Sequence, residues 1–304
     1  MQKYIKECFL APLDYETLST HCERIASMGA GVELSYIGQS LLSKKIPMLS
    51  FGRGEKSVVY IAGHHGAEWL CGCVLLAFLY ELCERSREGR RAFSASIPYI
   101  EQSRRICVIP VLNVDGCEIE IHGPDPLCPM YERLCRANGT EDFSLWQANA
   151  RGVDLNHNYN ALFSEYKRLE REAGIRSAAP TRYSGEYPES EPECAALCNL
   201  LRFFSPALVL SFHSQGEVIY GGVSDSLPCG KQIGMRLCEM SGYSMSSPEG
   251  PAAYGGLADW YSREMGLPSF TIECGLGKNP LPLSSGEGIY RRLRELLFTS
   301  PMLV

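Results

Sequence analysis

His65 and Glu68 stand three residues apart in Gly63-His64-His65-Gly66-Ala67-Glu68-Trp69, directly after the apolar run Val58-Val59-Tyr60-Ile61. Where a strand gives way to a helix, that spacing lets an imidazole nitrogen and a carboxylate point at one spot. This is two thirds of a catalytic zinc site, because a hydrolytic zinc takes three protein ligands, often two His and one Glu, and keeps a further position open for water. Six histidines are available in all. His21, in a polar N-terminal helix, and His122, in a loop, read as surface residues; His64 points away from its neighbour; His157 sits in a long irregular stretch. His213 ends the apolar run Leu208-Val209-Leu210-Ser211-Phe212. A histidine at the end of a buried strand, where α/β sites gather, is the best third ligand, the alternative being a hydrogen-bonded core histidine.

Hydrolysis also requires a base for the attacking water and a donor for the oxyanion. Glu273 ends Ser269-Phe270-Thr271-Ile272, a carboxylate at the tip of an apolar strand. Burial there would raise its pKa toward the working range of a general base. Pairing with a nearby Arg or Lys is the competing reading.

The elements that must position these groups alternate along the chain. Strands are expected at Glu33 to Ile37, Ile46 to Phe51, Val58 to Ile61, Cys107 to Leu112, Leu208 to Phe212 and Ser269 to Glu273, and helices at Tyr15 to Met28, Glu68 to Arg85, Pro192 to Phe204, Cys229 to Ser241, Leu257 to Met265 and Gly286 to Phe298. This is the pattern of an α/β sandwich whose sheet is covered on both faces. In the second helix Leu70, Val74, Leu75, Phe78 and Leu82 recur at three- and four-residue steps and would face the sheet. Between Gly116 and Glu191 the periodicity fades, and a structureless stretch of that length is usually functional; it reads as substrate-binding insertions. Residues 1–30 form a helical lead-in, and the whole of 1–304 reads as one domain.

With 304 residues, 45% apolar and 21% charged, the chain can bury a large core. A net charge of −6 without a basic stripe argues against nucleic-acid and anionic-membrane partners. No run of about 18 apolar residues exists to span a membrane. The N-terminal apolar stretch is too short for a secretory signal, which makes a cytoplasmic location the expectation. The 14 cysteines, among them Cys71, Cys83, Cys198 and Cys238 in apolar periodic segments, read as reduced buried thiols rather than disulfides or a metal site.

Taken together, His65-x-x-Glu68, Asn113-Val114-Asp115-Gly116, Gly152-Val153-Asp154-Leu155-Asn156, Ser211-Phe212-His213 and the stretch from Gly256 to Glu273 resemble the zinc carboxypeptidase (M14) family, in this order and over nearly the whole chain. The resemblance implies that His65, Glu68 and His213 bind one zinc ion, and that Glu273 activates water and protonates the leaving amine. It also implies that Asp154 hydrogen-bonds the first zinc histidine and that Arg151 polarises the scissile carbonyl. Where family carboxypeptidases clamp the substrate's terminal carboxylate with an Asn-Arg pair, this chain has Asn156-His157, which lacks the bidentate fork. The tyrosine usual before Asp259-Trp260 is out of register, the nearest being Tyr254.

A narrower resemblance, to the γ-D-glutamyl-L-diamino acid endopeptidase I branch, rests on Trp146 to Asn156, Ser190 to Glu193, His213 to Tyr220 and Thr271 to Pro282. It implies hydrolysis of the bond between γ-D-glutamate and meso-diaminopimelate or lysine in peptidoglycan stem peptides, with a muropeptide or other small peptide as substrate. Asn156, His157, Gln215 and Tyr254, with Glu217 and Lys278, would contact it. A carboxypeptidase, an aspartoacylase-type deacylase and a catalytically inactive peptide binder remain the alternatives.

Overall fold

Continuous apolar strands, buried on both faces as a covered parallel sheet demands, form the centre of the molecule. The computed structural model describes residues 2–304. Two short helical segments, α1 (Gln2–Glu7) and α2 (Tyr15–Ser27), precede strands β1 (Val32–Gln39), β2 (Lys45–Phe51) and β3 (Lys56–Ala62). Helix α3 (Leu70–Arg87) leads through a small hairpin, β4 (Arg91–Ala92) with β5 (Ala95–Ser96), to α4 (Ile97–Ser103) and β6 (Arg104–Ile109). Then come α5 (Val114–His122), α6 (Tyr131–Asn138), α7 (Phe163–Glu172), α8 (Pro192–Phe204), β7 (Leu208–His213), β8 (Val218–Tyr220), α9 (Gly230–Ser241), β9 (Ser244–Ser246), α10 (Leu257–Met265), β10 (Ser269–Glu273) and α11 (Gly286–Thr299).

The main sheet has eight strands in the order β1-β2-β6-β3-β7-β10-β8-β9. Its middle, β6-β3-β7-β10, is parallel, and β1, β2 and β8 join antiparallel. All six residues of β7 are buried, as are the last six of β3. The fold is therefore the expected α/β sandwich with a mixed central sheet.

Helix α3 differs from its amphipathic reading. Leu70 to Cys83 are buried without interruption, because α1, α2, α4 and α11 pack around a helix that already lies on β3. Among the described residues it belongs to the one segment long and apolar enough to cross a membrane, Gly66–Arg87, whose apolar part is buried inside the protein. His21, read as a surface residue, is buried and bonds Tyr80 Oη at 2.9 Å; His122 is exposed beside Asp14. The 14 cysteines are unpaired.

The stretch from Gly116 to Glu191 is not structureless. It completes α5, carries α6 and α7, and holds a small apolar cluster of Ile119, Leu134, Phe143, Trp146, Ala148 and Ala150. The polar surfaces of α6 and α7 hide their few buried anchors, Leu134 in α6 and Phe163, Tyr166 and Glu170 in α7, from a search for longer apolar periods.

Candidate active site

Three parallel strands end at one edge and deliver the chemistry. Ala62 pairs with Phe212, and His213 with Glu273. The turn after β3, the tip of β7 and the tip of β10 therefore meet where open α/β sheets bind ligands. His65 immediately precedes, and Glu68 ends, a single helical turn, Gly66–Glu68, before α3. That turn seats closely because residue 66 is glycine: a β-carbon there would come within 2.4 Å of the Gly116 carbonyl oxygen and 2.6 Å of that of Trp146.

The side chains of His65, Glu68 and His213 converge, their ligand atoms all within 4.8 Å of one another. His65 Nδ1 lies 2.9 Å from Glu68 Oε1, and His213 Nδ1 lies 3.0 Å from Glu68 Oε2. The far nitrogens are held from behind. His65 Nε2–H donates to Asp154 Oδ1 at 3.1 Å, and His213 Nε2 lies 3.1 Å from Ser211 Oγ. A proton on Nε2 leaves the Nδ1 lone pair facing the shared point, the arrangement a metal-binding imidazole requires. Two imidazoles and a carboxylate make a donor set suited to zinc.

Charge balance supports the same reading. Burial disfavours an ionised Glu68, but His65 and His213 outweigh it and hold the carboxyl down at about 2. Burial likewise opposes a charged His65, and Glu68 and Asp154 overcome it, raising the imidazole well above its ordinary value. A site that stabilises positive charge between two buried carboxylates is one that would hold a divalent cation. Asp154 is itself fixed by Arg182 N–H (2.8 Å), Asn156 N–H (3.2 Å) and Thr181 Oγ (3.3 Å). Asn279, to which no role was assigned from sequence, donates to Glu68 Oε1 at 3.1 Å and to the Ser214 carbonyl at 2.7 Å.

His64 offers no ligand atom to this cluster, although its ring stacks on that of His213 with centroids 5.1 Å apart. Its Nε2 bonds Tyr159 Oη at 2.9 Å. Burial first, and the neighbouring His213 and His65 next, keep it neutral.

A cavity of about 730 Å³ opens onto the cluster. His65, Glu68, Asn156, His157, His213, Gln215 and Glu273 all line it. Burial, and then the charge of Glu68, push the Glu273 carboxyl up to about 8, with His65 opposing. His157 stacks on Tyr166, ring centroids 4.0 Å apart, and its Nδ1–H donates to the Tyr254 carbonyl at 3.0 Å. Burial keeps the ring neutral against the pull of Asp154, so its Nε2 is an acceptor rather than a substitute for an arginine fork.

Two expected contacts lie elsewhere. Arg151 is not part of the cavity lining; its Nε donates to buried Glu191 at 3.1 Å. That contact uses Nε alone, and the half-exposed guanidinium does not line the cavity. Tyr254 meets the site through its backbone carbonyl and does not line the cavity. The insertion contributes only Asn156 and His157, whereas most of the wall comes from Ser214 to Glu273. Short strands β8 and β9 and the turns around them give little periodic signal, and so the wall they build was not legible in advance.

The zinc carboxypeptidase family (Peptidase M14) matches residues 21–290. A γ-D-glutamyl-L-diamino acid endopeptidase 1 of Lysinibacillus sphaericus is 31% identical over 282 residues, covering 91% of this chain and 69% of that protein. Murein peptide amidase A of Escherichia coli (strain K12) is 34% identical over 114 residues, 36% of each chain. Among solved structures, thrombin activatable fibrinolysis inhibitor superposes with a TM-score of 0.73 at 19% identity, over 100% of this chain and 75% of the other, a likeness of fold.

Proposed function

The chain belongs to the zinc carboxypeptidase family, and from that premise we propose that it hydrolyses the γ-D-glutamyl–diamino acid amide bond of peptidoglycan stem peptides, with His65, Glu68 and His213 holding one zinc ion. The observation that carries this reading is the convergent His-Glu-His donor set beside half-buried Glu273, in a cavity whose described lining contains no arginine or lysine.

When bound at these residues, zinc supplies a Lewis acid and lowers the pKa of water. Glu273, raised by burial, takes up the proton of the attacking water and returns it to the leaving nitrogen. Asp154 keeps the His65 proton on Nε2 and so keeps Nδ1 free to bind. Asn156 Oδ1 accepts from Leu257 N–H at 3.3 Å, which orients its amide; Asn156, with neutral His157 and Gln215, offers polar contacts to a peptide without gripping a terminal carboxylate. A site without that grip suits a bond inside a branched stem peptide better than removal of the last residue of a protein.

The similarity to an endopeptidase with this named specificity adds support. Zinc-loaded protein is expected to cleave L-Ala-γ-D-Glu-meso-diaminopimelate or its lysine counterpart, with Glu273→Gln inactive. If the wild type leaves both intact while trimming α-linked C-terminal peptides, the γ-glutamyl reading fails.

A further inference from the structure

His64 is wholly buried and has no task in the proposed chemistry. A buried imidazole needs partners for both ring nitrogens, and here both partners belong to one chain. Ser211 and His213 stand two apart on β7, so their side chains leave the same face of the strand. Ser211 Oγ lies 3.1 Å from His213 Nε2 and 3.4 Å from His64 Nδ1. His64 Nε2 in turn lies 2.9 Å from Tyr159 Oη. All four side chains are buried, and their polar atoms therefore depend on one another.

Each imidazole in this chain has one hydrogen to give and one lone pair to receive, and each hydroxyl has one hydrogen. Two arrangements satisfy every link. When the His213 hydrogen is on Nδ1, Glu68 Oε2 accepts it at 3.0 Å and Nε2 becomes an acceptor. Ser211 O–H then donates to His213, His64 Nδ1–H to Ser211, and Tyr159 O–H to His64. When His213 Nδ1 is given to a metal, the hydrogen is on Nε2 and every bond turns round. His213 donates to Ser211, Ser211 to His64 Nδ1, and His64 Nε2–H to Tyr159, whose own hydrogen has the Cys194 thiol beside it. A mixed arrangement leaves the Ser211 hydroxyl facing two donors or two acceptors. Between the two satisfied states both rings change tautomer and both hydroxyls rotate, while His64, Ser211, Tyr159 and His213 each keep their number of hydrogens.

We propose that Ser211, His64 and Tyr159 are positioning residues for His213, acting as a chain that reverses when this imidazole exchanges Glu68 for zinc. A carboxylate such as Asp154 behind His65 can only accept, and so it fixes one tautomer. The hydroxyl behind His213 serves either tautomer, because His64 behind it gives or takes a hydrogen bond as required. The inference rests on the zinc reading of His65, Glu68 and His213 and is independent of which peptide bond is cut.

The test is long-range 1H–15N spectroscopy of protein labelled at histidine, which reports the nitrogen that carries the hydrogen in each ring. In wild type the His64 hydrogen is expected on Nδ1 without zinc and on Nε2 with zinc at saturation. Ser211→Ala cuts the chain: the His64 tautomer should stop responding to zinc, and the zinc Kd from chelator competition should rise roughly 10- to 100-fold. If zinc changes the His65 and His213 signals but leaves the His64 hydrogen where it was, the chain is overturned and the zinc site stands. If zinc changes none of the three rings, both readings fall. A Ser211→Ala protein whose His64 tautomer still switches, or whose zinc Kd stays within threefold of wild type, also overturns the proposal. The wild-type comparison requires no substitution and decides the matter even if Ser211→Ala melts early.

Discussion

Replacing Asp154 by asparagine swaps one oxygen for an amide in the chain of bonds that orients His65. Asp154 is buried and accepts four hydrogen bonds, from His65 Nε2, Arg182 N, Asn156 N and Thr181 Oγ. Asparagine retains one acceptor oxygen. If that oxygen stays with the short Arg182 bond at 2.8 Å, its NH2 group faces His65 Nε2, and two donors meet. The conflict is relieved by moving the imidazole proton to Nδ1, the atom that faces Glu68 and would bind zinc. Losing a charge-assisted hydrogen bond costs about 1.5–3 kcal/mol, equivalent to a roughly 10- to 100-fold weaker zinc affinity, the usual cost of removing such a support. Competition against a chromophoric chelator at constant pH measures the zinc Kd, and activity at saturating zinc measures what remains. Asp154→Asn should need much more zinc and then recover most of its kcat. A zinc Kd within threefold of wild type would refute the assignment of Asp154 as the residue that positions His65.

Three other outcomes follow from the same geometry. Because Glu273 must be ionised to act as a base and burial raises it, cleavage should increase as pH climbs through its titration, with a bound dication moving the midpoint below about 8; Glu273→Gln should lower kcat by roughly 10²- to 10⁴-fold, and a pH-rate profile of both proteins checks this. Arg151→Ala should change kcat/KM by less than about tenfold, since its guanidinium is bound to Glu191 outside the cavity; a loss of roughly 10²- to 10³-fold, as for an oxyanion donor, would restore it to the chemistry. Glu193 is fully buried, and burial first, with Asp115 and Glu191 adding to it, raises its carboxyl from 4.5 to about 7. The folded state then holds the proton more tightly than the unfolded chain, so stability declines as pH rises from 4.5 to 7. A shift of 7 − 4.5 = 2.5 units corresponds to about 3 kcal/mol. Denaturant titrations at pH 5 and pH 8 should show Glu193→Gln gaining on wild type at the higher pH; no change in the difference between them would refute the argument.

What could be read in advance divides by the range of the interactions involved. Strand β10 and helices α8 and α10 have the expected limits, because apolar runs, Pro192 at a helix start and Gly266 at a helix end are local signals. The candidate ligands and base were legible because His213 and Glu273 end apolar strand runs and His65 and Glu68 flank a strand-to-helix turn. Parallel strands in register then bring these ends together. Helices α6 and α7 escaped because each buries only a few residues of a polar sequence, and the burial of α3 on every side reflects neighbours far away in the chain.

The sequence by itself determined the α/β pattern, the candidate ligands and the candidate base, since these rest on residue type and on short-range periodicity. Tertiary structure decided which charges meet. It bound Arg151 to Glu191 forty residues away, and it set His157 with Nδ1–H on the Tyr254 carbonyl, leaving Nε2 an acceptor. Electrostatic partnership depends on distance in space and on burial, neither of which spacing along the chain encodes.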